Sequence, residues 1–235
     1  MKLLLENWRK YLKEEEEPKV NIFLDMDGVL VDFPSALKKY IKNVYTAAPE
    51  EVHPTSKSSR AVLRKLQSMN LSPEEIDELY DRVEIKFQYG EEYSPDEKIM
   101  SDYVFKALLD NKKLWLDMKK LDGADALVET AFGLADKVFI LSAQVDEVSK
   151  DAKKDWIAAN FSDREFAGVE ISRDKGGRLL QLIAQGTVAE DDLNILIDDR
   201  QKFLDSFMSA GGTGIQYNFE APGSTFRELE TLTMQ

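Results

Sequence analysis

Apolar positions along this chain fall into two patterns. In one, three to five apolar residues run together between polar neighbours. In the other, they recur every third or fourth residue over ten or more positions. The runs Ile22–Leu24, Val138–Leu141 and Leu193–Ile197 read as buried strands. Val169–Ile171 is a weaker run, and Ile215–Tyr217 is expected to form an edge. Helical spacing lies between them, at 123–135, 146–160, 175–185 and 200–209. Strands alternating with helices predict βαβ units. Strands that are apolar throughout need helices on both faces. The fold class is therefore α/β, with a Rossmann-like doubly wound parallel sheet.

One gap breaks this rhythm. From Phe33 to Val138 only helical spacing occurs, over roughly 34–48, 57–69, 73–88 and 95–110. "SPEE" at Ser72–Glu75 and "SPDE" at Ser94–Glu97 mark two helix starts. Each has a serine cap, proline at the first helical position and glutamate three residues after the serine. These segments predict a helical cap inserted at 34–113 between the first two core strands, leaving 19–33 and 114–235 as the core. "QYGEEYSP" around Gly90 is a candidate hinge for that cap.

Residues 1–17 read as an amphipathic leader helix, with Leu4, Leu5, Trp8, Tyr11 and Leu12 on one face and Glu14–Glu17 closing it. The leader is expected to pack on its own domain, to dock a partner or to lie on a membrane surface, though its acidic run argues against anionic lipid. Its short apolar run does not suit a signal peptide. No stretch of the sequence approaches the length of a membrane span, so a cytoplasmic protein is expected, in a cell or in a phage-infected host. The net charge of −13 repels phosphate backbones and argues against long nucleic acid as a partner. There is no cysteine and one histidine, His53, which excludes disulfides, thiol catalysis and multi-histidine zinc sites. His53 is expected to be a surface cap residue.

In a parallel sheet, ligands bind where the strands end. Asp25 and Asp27 follow the first strand, Ser142 the second, Arg173 and Lys175 the third, and Asp198 and Asp199 the fourth. Each alone is an ordinary turn, cap or surface residue. In order, at successive strand ends, they bring carboxylates together that need a cation. Hard oxygen ligands without histidine or cysteine suit Mg²⁺. Asp25 beside Mg²⁺ can attack phosphorus, and Asp27 can move the proton. Ser142 can donate to a phosphoryl oxygen, Lys175 can offset developing charge, and Asp198 completes the metal site. Gly28 is expected to turn the backbone so that amide N–H groups face the phosphate.

"DMDGV", Ser142, Lys175 and "IDD" resemble the four motifs of the haloacid dehalogenase (HAD) superfamily. "DMDGVLVDF", "LDGADALVE", "VFILS", "KDWIAANF", "ISRDK" and "LIDDR" are similar to the 5'(3')-deoxyribonucleotidase family within it, over about 120 residues. The resemblance implies an aspartyl-phosphate mechanism. Asp25 would be the nucleophile and Asp27 the acid and base. The Asp25 carboxylate, the Asp27 main-chain carbonyl and Asp198 would hold Mg²⁺, with Asp199 behind them. Ser142 and Lys175 would bind the phosphoryl group. Gly28, Phe33, Trp115, Ala143 and Arg173 would contact the substrate, with Phe33 stacking on a base. Paired subunits are common in that family, so a homodimer is expected.

Two stretches depart from the family. Ser142-Ala143-Gln144 keeps one hydroxyl and lacks the next. Gly176-Gly177 after the lysine is expected to loosen the loop. The expected activity is Mg²⁺-dependent hydrolysis of a (deoxy)nucleoside monophosphate. The alternatives are another small phosphate ester, a nucleic-acid 3'-phosphate end, or a phage-type assembly protein with a secondary site.

Overall fold

The computed structural model describes residues 18–46, 57–89, 91–108, 111–219 and 221–234. The leader, His53 and the Gly90 hinge position lie outside them.

Five strands form one all-parallel sheet: β1 (Val20–Leu24), β2 (Lys137–Ser142), β3 (Gly168–Ile171), β4 (Leu193–Asp198) and β5 (Thr213–Gln216), in the order β3-β2-β1-β4-β5. The fifth strand lies at an edge, as its short apolar run predicts. Strand side chains alternate between faces, and both faces are buried along β1, β2 and β4. Ile22, Leu24, Val138, Ile140, Ile195 and Ile197 belong to one apolar cluster. Phe23, Phe139, Leu141 and Leu196 belong to a second.

Helices cover both clusters. Leu127, Val128 and Ala131 of α6 (Ala124–Leu134), Trp156 of α7 (Glu147–Asn160) and Leu229 of α10 (Pro222–Thr233) join the first. Leu179 and Leu182 of α8 (Lys175–Ala184), with Leu204 and Phe207 of α9 (Gln201–Ser209), join the second. There Phe23 stacks on Phe139, ring centres 4.7 Å apart, and meets Phe207 edge-on at 5.3 Å.

Between β1 and β2 the chain adds α1 (Phe33–Thr46), α2 (Lys57–Gln67), α3 (Pro73–Tyr89), α4 (Pro95–Leu108) and α5 (Lys112–Leu116). Leu37, Ile41, Leu63, Leu66, Leu79, Met100 and Tyr103 bury the helical stripes of α1–α4 in the first cluster. Both predicted starts form reciprocal caps. The Ser72 N–H donates to Glu75 Oε2 at 2.7 Å, and the Glu75 N–H to Ser72 Oγ at 3.2 Å. The Ser94 N–H donates to Glu97 Oε2 at 2.7 Å, and the Glu97 N–H to Ser94 Oγ at 3.4 Å. Glu97 also pairs with Lys86 of α3 at 2.8 Å, tying α3 to α4.

Helices α5 and α10 are absent from the pattern reading. α5 has only five residues, too few for a period to show. α10 opens with Pro222 at its first turn and buries Thr225 and Leu229, four residues apart on one face. Proline at a helix start was the available signal.

Candidate active site

Register brings the motif residues together. Leu24 lies level with Ile140 on one side and Ile197 on the other. The next residue, Asp25, donates its N–H to the Ile197 carbonyl at 2.9 Å, so Asp25 and Asp198 leave adjacent strand ends together. Asp25, Ser142, Lys175 and Asp198 are all buried.

Lys175, at the start of α8, bridges the two aspartates. Its Nζ lies 3.0 Å from Asp25 Oδ1 and also donates to Asp198 Oδ2. Burial drives the ammonium toward neutrality, but Asp25 and Asp198 outweigh it and raise its pKa. Burial likewise pushes the Asp25 carboxyl up, yet Lys175, Lys153 and the Met26 N–H outweigh it and hold the group below its ordinary value. Asp198 goes the other way. Burial and the charge of Asp25 raise it against the pull of Lys175.

Gly176 and Gly177 do not form a loose loop, contrary to expectation. They lie in the first turn of α8, whose N-cap Asp174 accepts from the Gly177 N–H at 2.8 Å. A Cβ on Gly176 would stand 2.2 Å from the Ser206 carbonyl oxygen. The glycine therefore permits α8 to close against α9.

Asp27 sits across the turn from Asp25. Its Oδ2 accepts from Lys153 Nζ at 2.6 Å. The same ammonium donates to Ser142 Oγ at 3.0 Å and to the Ala143 carbonyl at 2.6 Å. Burial and the charge of Asp25 raise the Asp27 carboxyl, and Lys153 only partly offsets them. Lys153 is absent from the sequence-derived site. Its signal was position, because it falls on the buried stripe of α7 with Ser149, Ala152, Trp156 and Ile157. A lysine in an apolar stripe needs a partner.

Gly28 serves the site differently from the expectation. Its N–H is used within the turn, donating to the Val31 carbonyl at 3.0 Å. Its φ of 75° is left-handed, and a Cβ there would stand 2.4 Å from Asp199 Oδ2. Gly28 therefore admits the Asp199 carboxylate beside the turn. Asp25, Asp198 and Asp199 each offer an oxygen within 4.8 Å of the others. Asp199 Oδ1 is buried with no hydrogen-bond partner among the described residues. Burial, with Asp25 next, pushes the Asp199 carboxyl well up. Crowded, under-satisfied hard oxygens fit Mg²⁺. The carboxylate of Asp199, rather than that of Asp27, joins this group.

Beside Asp27 opens a cavity of about 610 Å³. Phe33, Trp115, Ala143 and Arg173 all line it. Phe33 stacks on Trp115, ring centres 5.3 Å apart at 21°. Trp115 is wholly buried, so it backs Phe33 as a fixed platform. The turn carrying Phe33 is tied to the stretch after α5, where Asp32 donates its N–H to the Lys119 carbonyl at 3.2 Å and Leu121 to the Leu30 carbonyl at 2.9 Å. Arg173 donates to the carbonyls of Gln144 at 2.7 Å and Val145 at 3.0 Å. Arg200 and Lys202 line the same cavity, so with Arg173 three cations gather here on a chain of net charge −13.

No protein-family model matches the sequence, and no curated protein matches it by sequence comparison. Solved structures do match in fold. A haloacid dehalogenase-like hydrolase of Xanthomonas campestris is 12% identical, with a TM-score of 0.52 and 94% of each chain covered. A structure from Lactobacillus delbrueckii, assigned provisionally as a phosphoglycolate phosphatase, is 15% identical, with a TM-score of 0.53 and 86% of each chain covered. The chain has the Rossmann-like fold of HAD hydrolases.

Proposed function

We propose that the protein is a Mg²⁺-dependent phosphomonoester hydrolase of the HAD type, acting through an aspartyl-phosphate on (deoxy)nucleoside monophosphates. The observation that carries this reading is the pairing of two aspartates with two different buried lysines at adjoining strand ends: Asp25 with Lys175, and Asp27 with Lys153.

Asp25, Asp198 and the Asp27 main-chain carbonyl would hold the metal, with Asp199 beside them. The ion would offset charge on the phosphoryl oxygens. Lys175 holds the Asp25 carboxylate ionised and oriented for attack on phosphorus. The P–O bond to the leaving group breaks as the Asp25–phosphorus bond forms, and Asp27 delivers its proton to the leaving oxygen. Asp27 then takes a proton from the water that hydrolyses the aspartyl-phosphate. Ser142 and Lys153 form the cationic, hydrogen-bonding floor against which the phosphoryl oxygens would rest. Helices α1–α4 act as a cap over the leaving group.

Three observations support a nucleotide over a smaller ester. The cavity volume suits a body larger than a short acid, most of its walls are apolar, and Phe33 offers a backed aromatic face. Glycolate, the leaving group in the name of the Lactobacillus delbrueckii relative, would leave that face unused.

The test is phosphate release from deoxy- and ribonucleoside 5'- and 3'-monophosphates, sugar phosphates and 4-nitrophenyl phosphate, with Mg²⁺ or chelator. Asp25→Asn is the blank. Mg²⁺-dependent release from nucleotides, lost in Asp25→Asn, is expected. Release from 4-nitrophenyl phosphate alone would remove the nucleotide, and no release from any ester would remove the enzyme.

A further inference from the structure

The insertion's contribution to the cavity is not wholly apolar. Helix α3 lends it Tyr80, Val83 and Glu84. Tyr80 and Glu84 are four residues apart and share one helix face. Tyr80 is 4% exposed, and its Oη approaches the Pro34 carbonyl at 3.4 Å. Burial first, and the Glu84 carboxyl next, push the Tyr80 hydroxyl above its ordinary value. Burial raises the Glu84 carboxyl and Asp81 adds to this, against the weaker pull of Arg200 and Lys38.

A carboxyl group here has the wrong sign to receive a phosphoryl group. At the end of the cavity that Asp27 lines, Lys153 and Lys175 already pair with Asp27 and Asp25. Glu84 therefore serves the other end of the ester. In a largely apolar wall, a carboxyl one helix turn from a tyrosine offers one strong acceptor, and a ligand that leaves it unpaired is rejected. Phe33, lining the same cavity with its ring backed by Trp115, gives the flat surface on which such a ligand would lie.

We propose that Glu84, one helix turn from Tyr80 in the cavity wall, is a specificity residue that selects leaving groups carrying an N–H donor on a flat apolar body, such as the amino edge of a nucleobase. The proposal deepens the nucleotide reading above and rests on it. The chemistry at phosphorus is untouched by the choice, because Glu84 would act on the body of the leaving group and not on the leaving oxygen.

The test uses paired substrates that differ only in that donor. One pair is the 5'-monophosphates of 2'-deoxyadenosine and of the unsubstituted 2'-deoxypurine nucleoside. The other is 2-(4-aminophenyl)ethyl phosphate and 2-phenylethyl phosphate. The wild type is expected to favour the amino member by roughly 10- to 100-fold in kcat/KM, the weight of a charge-assisted hydrogen bond. Glu84→Leu should bring the ratio close to one. Glu84→Gln, which keeps an acceptor oxygen, should retain part of it, and Tyr80→Phe should reduce it. Calorimetric binding of the same pairs to Asp25→Asn with Mg²⁺ should give ratios of the same order without turnover. A wild type that does not discriminate, or a Glu84→Leu that weakens both members of a pair equally, would overturn the proposal. If the nucleotides are not bound or cleaved but the arylethyl pair is, the nucleotide reading falls alone and Glu84 is judged on that pair.

Discussion

Lys153→Met isolates the residue on which the second half of the site depends. The lysine is fully buried, and its ammonium makes three close contacts, to Asp27 Oδ2 at 2.6 Å, the Ala143 carbonyl at 2.6 Å and Ser142 Oγ at 3.0 Å. It also lies 4.9 Å from the centre of the Trp115 ring. Methionine fills most of the same volume, so the cavity cost is small. What is lost is the charge. Asp27 keeps a carboxylate in a partly buried site with its ion-pair partner gone, which costs about 3–5 kcal/mol when a buried pair is broken from one side. For a chain of this size that is a fall in Tm of about 6–20 °C. Turnover should fall by roughly 10²–10⁴, the weight of misplaced acid–base help. The assay is a thermal melt beside phosphate release at saturating Mg²⁺. Adding Asp27→Asn to Lys153→Met removes the stranded charge and should recover much of the stability while activity stays low. A single variant that melts within 1–2 °C of the wild type, or a double variant less stable than the single, would refute the reasoning.

Gly28→Ala should cost more than 1 kcal/mol, because a left-handed φ and a 2.4 Å approach to Asp199 must both be relieved; Mg²⁺ affinity, read by calorimetry, should fall with it. Gly176→Ala should also destabilise, since its Cβ would meet a backbone oxygen of Ser206 at 2.2 Å; retained stability in urea would disprove that contact. The Glu97 carboxyl is held down at about 2, chiefly by hydrogen bonds from Lys86 and the Ser94 N–H. A depressed folded-state value stabilises above the ordinary value of 4.5 and loses that contribution as pH falls from there toward 2. Melts between pH 6 and 2.5 should therefore steepen more for the wild type than for Glu97→Gln, and parallel curves would contradict this.

The sequence by itself determined the sheet, the covering helices and the places where chemistry could sit. Short continuous apolar runs are buried as strands with both faces covered, and serine-proline starts announce helices before any packing is known. Asp25, Ser142, Lys175 and Asp198 were legible for the same reason, since each closes or follows a strand whose end is fixed by where apolar residues stop. The short α5 and the C-terminal α10 were not, because a single turn has no period and one proline is a faint signal.

Tertiary structure decided which groups pair. Lys153 is eleven residues from Ser142 and 126 from Asp27 in the chain, and only α7 packing beside the sheet brings its ammonium to both. Gly28 makes room for Asp199 rather than aiming its amide outward, a role set by the return of β4 beside β1. Gly176 reads as looseness in one dimension and as close packing in three. Local pattern reports what one segment must bury. Which charge meets which across the strand ends depends on register and crossing, and these are set only when the segments share a core.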